Sequence, residues 1–227
     1  MKIAIVYAMD SEIQSMLALY EKYTVSEHCG VKFYETENGP VLCTVGIGKV
    51  NAAFGTTLLC EKYRPNVVIS AGVAGSFEHF DQDTILIAEK CAQHDFDTQY
   101  IGDQRFFVST VNKIFFDCAY IDVTVSLAQK DGYKYRTGLI ASGDKFMVDN
   151  ALSRDIKEAL SPLACEMEAC AVAQVCLREN VDFLAVKTAS DCIFSDGQTQ
   201  QYETNLSQAA ENLNGFVIKL AKILKEK

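Results

Sequence analysis

The chain has 227 residues, 49% hydrophobic and 22% charged, the usage of an ordinary globular protein. Its 30 acidic and 21 basic residues leave a formal net charge of -9, with no basic tract to neutralise a phosphate backbone, so nucleic acid is excluded as a natural partner. No apolar run reaches the roughly 20 residues of a membrane span, so no membrane partner is expected.

The first predicted strand covers residues 2–7 and is followed by Asp10 and Glu12, too soon for a signal-peptide core to develop. A cytoplasmic protein is expected. Further strands are predicted at 41–45, 66–71, 84–88, 134–141 and 183–188, where short β-branched apolar runs stand between turn residues. Between them lie segments of helical period. Val50, Ala53, Phe54, Thr57 and Leu58 mark one apolar face, Ala169, Val172, Ala173 and Cys176 a second. Leu213, Phe216, Val217, Leu220, Ala221 and Leu224 mark a third. Several strands are apolar throughout, which requires cover on both faces. The fold class expected is therefore α/β, a three-layer sandwich around a mixed, largely parallel central sheet. Three prolines, no low-complexity stretch and no internal repeat leave no linker to cut, so residues 1–227 read as one domain.

In such sheets ligands bind beyond the carboxyl ends of the strands. Ala8-Met9-Asp10-Ser11-Glu12 follows the first strand, where Asp10 or Ser11 can cap a helix. Gly46-Ile47-Gly48-Lys49 follows the second, without the spacing of a nucleotide fingerprint. Ser70-Ala71-Gly72-Val73-Ala74-Gly75 follows the third, where small residues serve either close packing or a ligand lying on the backbone. Glu166-Met167-Glu168 heads an apolar helix, and Ser190-Asp191 follows the last strand. Carboxylates beside buried segments are costly unless paired or functional. The nine cysteines are scattered without a Cys-x-x-Cys, and only three histidines are present, so free thiols, no metal site and no cofactor are expected.

Taken in order, Ala8-Met9-x-x-Glu12, Gly46-Ile47-Gly48-Lys49-Val50, Gly72-x-Ala74-Gly75, His94-Asp95-x-Asp97, Ser142-Gly143-Asp144-x-Phe146, Glu166-Met167-Glu168-Ala169 and Ser190-Asp191 resemble the 5′-methylthioadenosine/S-adenosylhomocysteine nucleosidases, of the nucleoside phosphorylase superfamily. The resemblance runs the length of the chain. It implies a phosphorylase-like fold and hydrolysis of the N-glycosidic bond of adenine nucleosides. Asp191, oriented by Ser190, would be the general acid at adenine N7, and Glu12 would activate the water. Glu168 would accept hydrogen bonds from the ribose hydroxyls, with Met167 against the sugar. Phe146 would stack on the base, the Met147 backbone would recognise it, and Val73 and Gly75 would line its side. Met9, Ile47 and Tyr202 would wall the 5′-alkylthio group, the last only with a one-residue insertion after Asp191. The resemblance also implies a homodimer, with a small-molecule adenine nucleoside as substrate.

The chain departs from the family at Lys187, where arginine is usual, at residues 98–103, and at a polar, Gln-rich loop over 195–201. The rival readings are a nucleoside phosphorylase, a futalosine hydrolase and a non-catalytic storage protein. Glu12 in place of an arginine anion site favours water over phosphate, and joint retention of Glu12, Glu168 and Asp191 favours an enzyme.

Overall fold

The computed structural model describes residues 1–81 and 83–227. In chain order the elements are β1 (Ile3–Tyr7), α1 (Asp10–Leu17), β2 (Tyr23–His28), β3 (Val31–Thr36), β4 (Val41–Thr44), α2 (Lys49–Tyr63), β5 (Val67–Ser76), β6 (Ile85–Gln93) and β7 (Phe116–Asp117). There follow α3 (Ile121–Lys130), β8 (Tyr135–Ser142), α4 (Ala151–Leu160), β9 (Ala164–Glu166), α5 (Ala169–Glu179), β10 (Asp182–Cys192) and α6 (Gln198–Lys225).

The described strands form one mixed sheet in the order β10-β6-β8-β9-β5-β1-β4-β3-β2, with β7 on β6 and a further pairing of β10 with β5. The pairings β5–β10–β6–β8–β9–β5 thus close a ring, from which β1, β4, β3 and β2 extend as an open wing. The long pairings, β10 with β5 and β8 with β6, are parallel, and the wing ends in the antiparallel β2–β3 hairpin. Helices α1 and α6 pack together on one face, and α2 and α5 on the other. Strands β1, β4 and β5 are buried almost throughout, as cover on both sides demands.

All six predicted strands are present, and three run on well past their predicted ends, β6 to Gln93 and the two others into the site. β5 runs on through Gly72-Val73-Ala74-Gly75, and β10 through Ser190-Asp191, because the two strands stay paired from Asp182–Val67 to Cys192–Ser76. The hairpin β2–β3 escaped the sequence reading, since β2 is mostly exposed and polar and its turn is Cys29-Gly30, both at positive φ, rather than Asn-Gly. The three-residue β9 is too short to carry a pattern.

The periodicity assigned to α2 faces the wrong way. Val50 is 78% and Phe54 46% exposed, while Ala52, Gly55, Thr56, Leu59 and Cys60 face inward. Close approach decides this: a Cβ on Gly55 would run into the Val45 side chain. The faces assigned to α5 and α6 are buried as expected. Residues 195–201 are only in part a loop, because α6 begins at Gln198. Among the described residues no helix is long and apolar enough to cross a membrane.

Candidate active site

The carboxyl ends of β1, β5, β9 and β10 meet the first turns of α1 and α5 at one cavity. Its lining includes every residue singled out by the sequence: Met9, Glu12, Ile47, Val73, Gly75, Phe146, Met147, Met167, Glu168, Ser190, Asp191 and Tyr202. Tyr202 reaches it from α6, edge-on to Phe146 with ring centroids 5.5 Å apart and with its hydroxyl 3.8 Å from Met9 Sδ. Ala8, Ala74, Lys145, Cys165 and Glu166 line it as well.

Glu12 is 3% exposed, and both carboxylate oxygens are held by main chain. Oε2 accepts from Ala8 N at 3.1 Å and Met9 N at 3.0 Å, and Oε1 from Val73 N at 2.9 Å. Met9, not Asp10 or Ser11, is the helix cap, and Asp10 pairs instead with Lys32. Glu12 stands third in the helix and reaches back to the cap N–H. Gly72, at φ +141°, lets β5 pass directly beside it, because a Cβ there would collide with Oε1. The main chain of Glu12 is tied to α6, where Asn214 Nδ2 donates to its carbonyl at 2.8 Å. Burial raises the Glu12 pKa, against Lys187 and the backbone donors.

Asp191 arrives from the opposite strand through an irregularity. Ala189 pairs with Ala74 and Asp191 with Gly75, so Ser190 is the extra residue of a β-bulge. Ser190 Oγ donates to Asp191 Oδ1 at 2.6 Å, and Gln198 Nε2 to Oδ2 at 2.7 Å. Burial raises the Asp191 pKa, and these two donors oppose the rise.

Glu168 is the N-cap residue of α5. Its Oε1 accepts from Gly48 N at 2.8 Å. Burial, and then the nearby Glu166, push its pKa up to about 7. Gly48 is held in turn by a surface cluster: Lys49 N donates to Asp144 Oδ1 at 2.7 Å, and Asp95 accepts from Lys49 Nζ at 2.5 Å and Asp144 N at 2.8 Å.

Sequence reasoning missed the organising role of Glu166. It accepts from Glu168 N at 3.1 Å, from Ala169 N at 2.9 Å and from Ser142 Oγ at 2.5 Å, and pairs with Lys187 Nζ at 3.1 Å. Lys187 is the one lysine or arginine buried among the described residues. Burial acts against its charge, but Glu166, Glu168 and Glu12 outweigh that and raise its pKa. The Glu-x-Glu spacing signals a carboxylate pair, and only the fold separates the one engaged by Lys187 from the one that accepts from Gly48 N. Gln198 was likewise missed, being assigned to a loop.

The arrangement can protonate a leaving group from Asp191 and deprotonate water at Glu12 across one cavity. Residues 2–222 match the family model of the phosphorylase superfamily. The chain is 34% identical over 226 residues to the 5′-methylthioadenosine/S-adenosylhomocysteine nucleosidase of Halalkalibacterium halodurans, covering 96% of each. It is 32% identical to the crystal structure of the nucleosidase of the same name from Campylobacter jejuni, with a TM-score of 0.89, covering 96% of this chain and 97% of that one. Futalosine hydrolase of Helicobacter pylori superposes with a TM-score of 0.88 over 95% of both chains at 24% identity, a likeness of fold.

Proposed function

The chain belongs to the 5′-methylthioadenosine/S-adenosylhomocysteine nucleosidase family of the phosphorylase superfamily and is an N-glycosidic bond hydrolase; on that premise we propose that it releases adenine from 5′-methylthioadenosine and S-adenosylhomocysteine, with Asp191 as general acid and Glu12 as general base. The observation that carries this reading is Glu12, a carboxylate fixed by three backbone N–H groups in the same cavity as Asp191.

Protonated Asp191 gives its proton to adenine N7 as the C1′–N9 bond breaks and its electron pair passes to the base. Ser190 accommodates that protonated form, since its hydroxyl also lies 3.4 Å from the Ala74 carbonyl and can turn there. Glu12 takes a proton from the water whose oxygen bonds to C1′. Its raised pKa suits a base, and the raised pKa of Asp191 suits an acid. Glu168 accepts from the ribose hydroxyls and places negative charge beside the cationic sugar. Met167 packs on the sugar, Phe146 on the base, and Met9, Ile47 and Tyr202 enclose the alkylthio group.

Phosphate is disfavoured as nucleophile. Glu12 and Glu168 border the cavity, and the buried cation, Lys187, is engaged by Glu166. We further take residues 1–227 as one nucleosidase domain working in a reducing cytoplasm as a homodimer. The free state of all nine cysteines supports the compartment. The exposed Ile47, Val50, Phe54, Tyr100 and Ile101 support the dimer.

The test is adenine release from methylthioadenosine without phosphate and then with it. Adenine and free methylthioribose at equal rates in both are expected. Turnover only with phosphate overturns the role of Glu12, and turnover of other nucleosides alone overturns the substrate.

A further inference from the structure

Gln198 has no part in the chemistry above, yet it is buried against the general acid. Its Nε2 donates to the Met147 carbonyl at 2.7 Å and to Asp191 Oδ2 at 2.7 Å. One is the carboxyl that the proposed function sets against N7, and the other is the Met147 backbone, which the family resemblance sets against the base. Oδ2 also lies on the side of Gly75, a residue of the cavity lining, where an added Cβ would come within 3.1 Å of it. A side-chain amide NH2 carries two hydrogens on one planar nitrogen, as does the exocyclic amine of a 6-aminopurine. The cavity beside it holds ≈ 120 Å³, well below the roughly 300 Å³ at which small-molecule sites begin.

We propose that Gln198 is a built-in stand-in for the amino group of the base, a latch that the substrate displaces when it binds. Without the substrate, the amide satisfies a buried carbonyl and a buried carboxylate that would otherwise stand without those donors, at a cost in stability. An entering 6-aminopurine supplies its own amine to the Met147 carbonyl, while N7, an acceptor, takes the hydrogen of protonated Asp191, so Gln198 loses both of its acceptors and swings out with the first turn of α6. With Gln198 gone from Oδ2, that oxygen can carry the proton destined for N7. A 6-oxopurine brings an oxygen against the Met147 carbonyl and replaces no donor, so the latch stays shut against it. Gln198 is thereby a specificity-determining residue that lowers apparent affinity by the fraction of molecules latched.

The inference rests on the adenine-nucleosidase reading, and one paired experiment separates them. Adenine is titrated calorimetrically into the wild type and Gln198→Ala, and methylthioadenosine kinetics are run on both. The wild type is expected to bind adenine and to cleave methylthioadenosine. Gln198→Ala is expected to bind adenine about three- to tenfold more tightly, with KM falling in the same direction. A gain of affinity is not what damage to the fold produces. Gln198→Leu, which has no hydrogen to donate, is expected to gain likewise, so the outcome does not hang on one variant folding. Equal or weaker adenine binding by both variants, beside an active wild type, overturns the latch and leaves the enzyme reading intact. A wild type that neither binds adenine nor cleaves the nucleoside overturns both.

Discussion

Glu12 and Asp191 are a single type of group asked to do opposite things, and their surroundings divide the work. Three backbone donors hold Glu12 in place, whereas Asp191 is held by a hydroxyl that can turn away and an amide that can leave. Asp191→Asn and Glu12→Gln preserve shape and remove the proton donor and acceptor respectively. Each is expected to lower kcat by about a thousandfold or more, with circular dichroism and thermal melting close to wild type. Near-normal turnover in either variant would contradict the assigned roles. Glu168 offers a pH signature. Its proton is lost as pH rises through about 7, and only the ionised form accepts both ribose hydroxyls. The acid limb of kcat/KM, which reports the free enzyme, should therefore climb toward pH 7. Glu168→Gln should weaken turnover and move that acid limb to the position set by Glu12. A limb that stays put would remove Glu168 from the titration.

The first turn of α5 is the element on which the sugar side depends. Two of its backbone N–H groups, at Ala169 and Cys170, end on Glu166 and on Ser142 Oγ, and Ser142 also donates to Glu166. Lys187 closes this network from β10, so a lysine serves where the family usually has arginine by acting as a point charge rather than a fork. Removing one member of a buried pair strands the other charge. Lys187→Met is expected to cost about 3–5 kcal/mol of stability in urea unfolding, and Lys187→Met combined with Glu166→Gln less than the two single losses added. Full additivity would show that the pair is not coupled. The helix α2 teaches the opposite lesson. In its first two turns Val50 and Phe54 point out while Ala52, Gly55 and Thr56 point in, because the helix must lie close to Val45 and α5 there.

Across the whole molecule, that outward stripe gains a meaning. Val50 and Phe54 on α2 are exposed, as is Ile47 before them, and Asp95, shortly before the 98–103 segment, pairs with Lys49 at the start of α2. Tyr100 and Ile101 in that segment are almost fully exposed. An apolar surface beside the cavity fits a second copy of the chain, and Ile47 belongs to both. Phe54→Glu is expected to shift sedimentation from dimer toward monomer and to raise KM without unfolding the chain. A wild type that sediments as a monomer at micromolar concentration would end the dimer reading.

The sequence by itself determined the layered α/β fold, because doubly buried strands are apolar along their length and helices repeat every 3.6 residues. The ordered motifs, through their resemblance to a known family, marked twelve residues of the cavity lining, whereas small residues and carboxylates at successive strand ends pointed by themselves only to that end of the sheet. The tertiary structure alone decided which carboxylate does what. Glu166 and Glu168 both line the cavity two positions apart, yet one is engaged by Lys187 and the first turn of α5 while the other accepts from Gly48 N. The same holds for the facing of α2 and the reach of Gln198 to Asp191, seven residues away. A local pattern records polarity and spacing, whereas close approach, bulges and hydrogen bonds between elements arise only when distant segments meet.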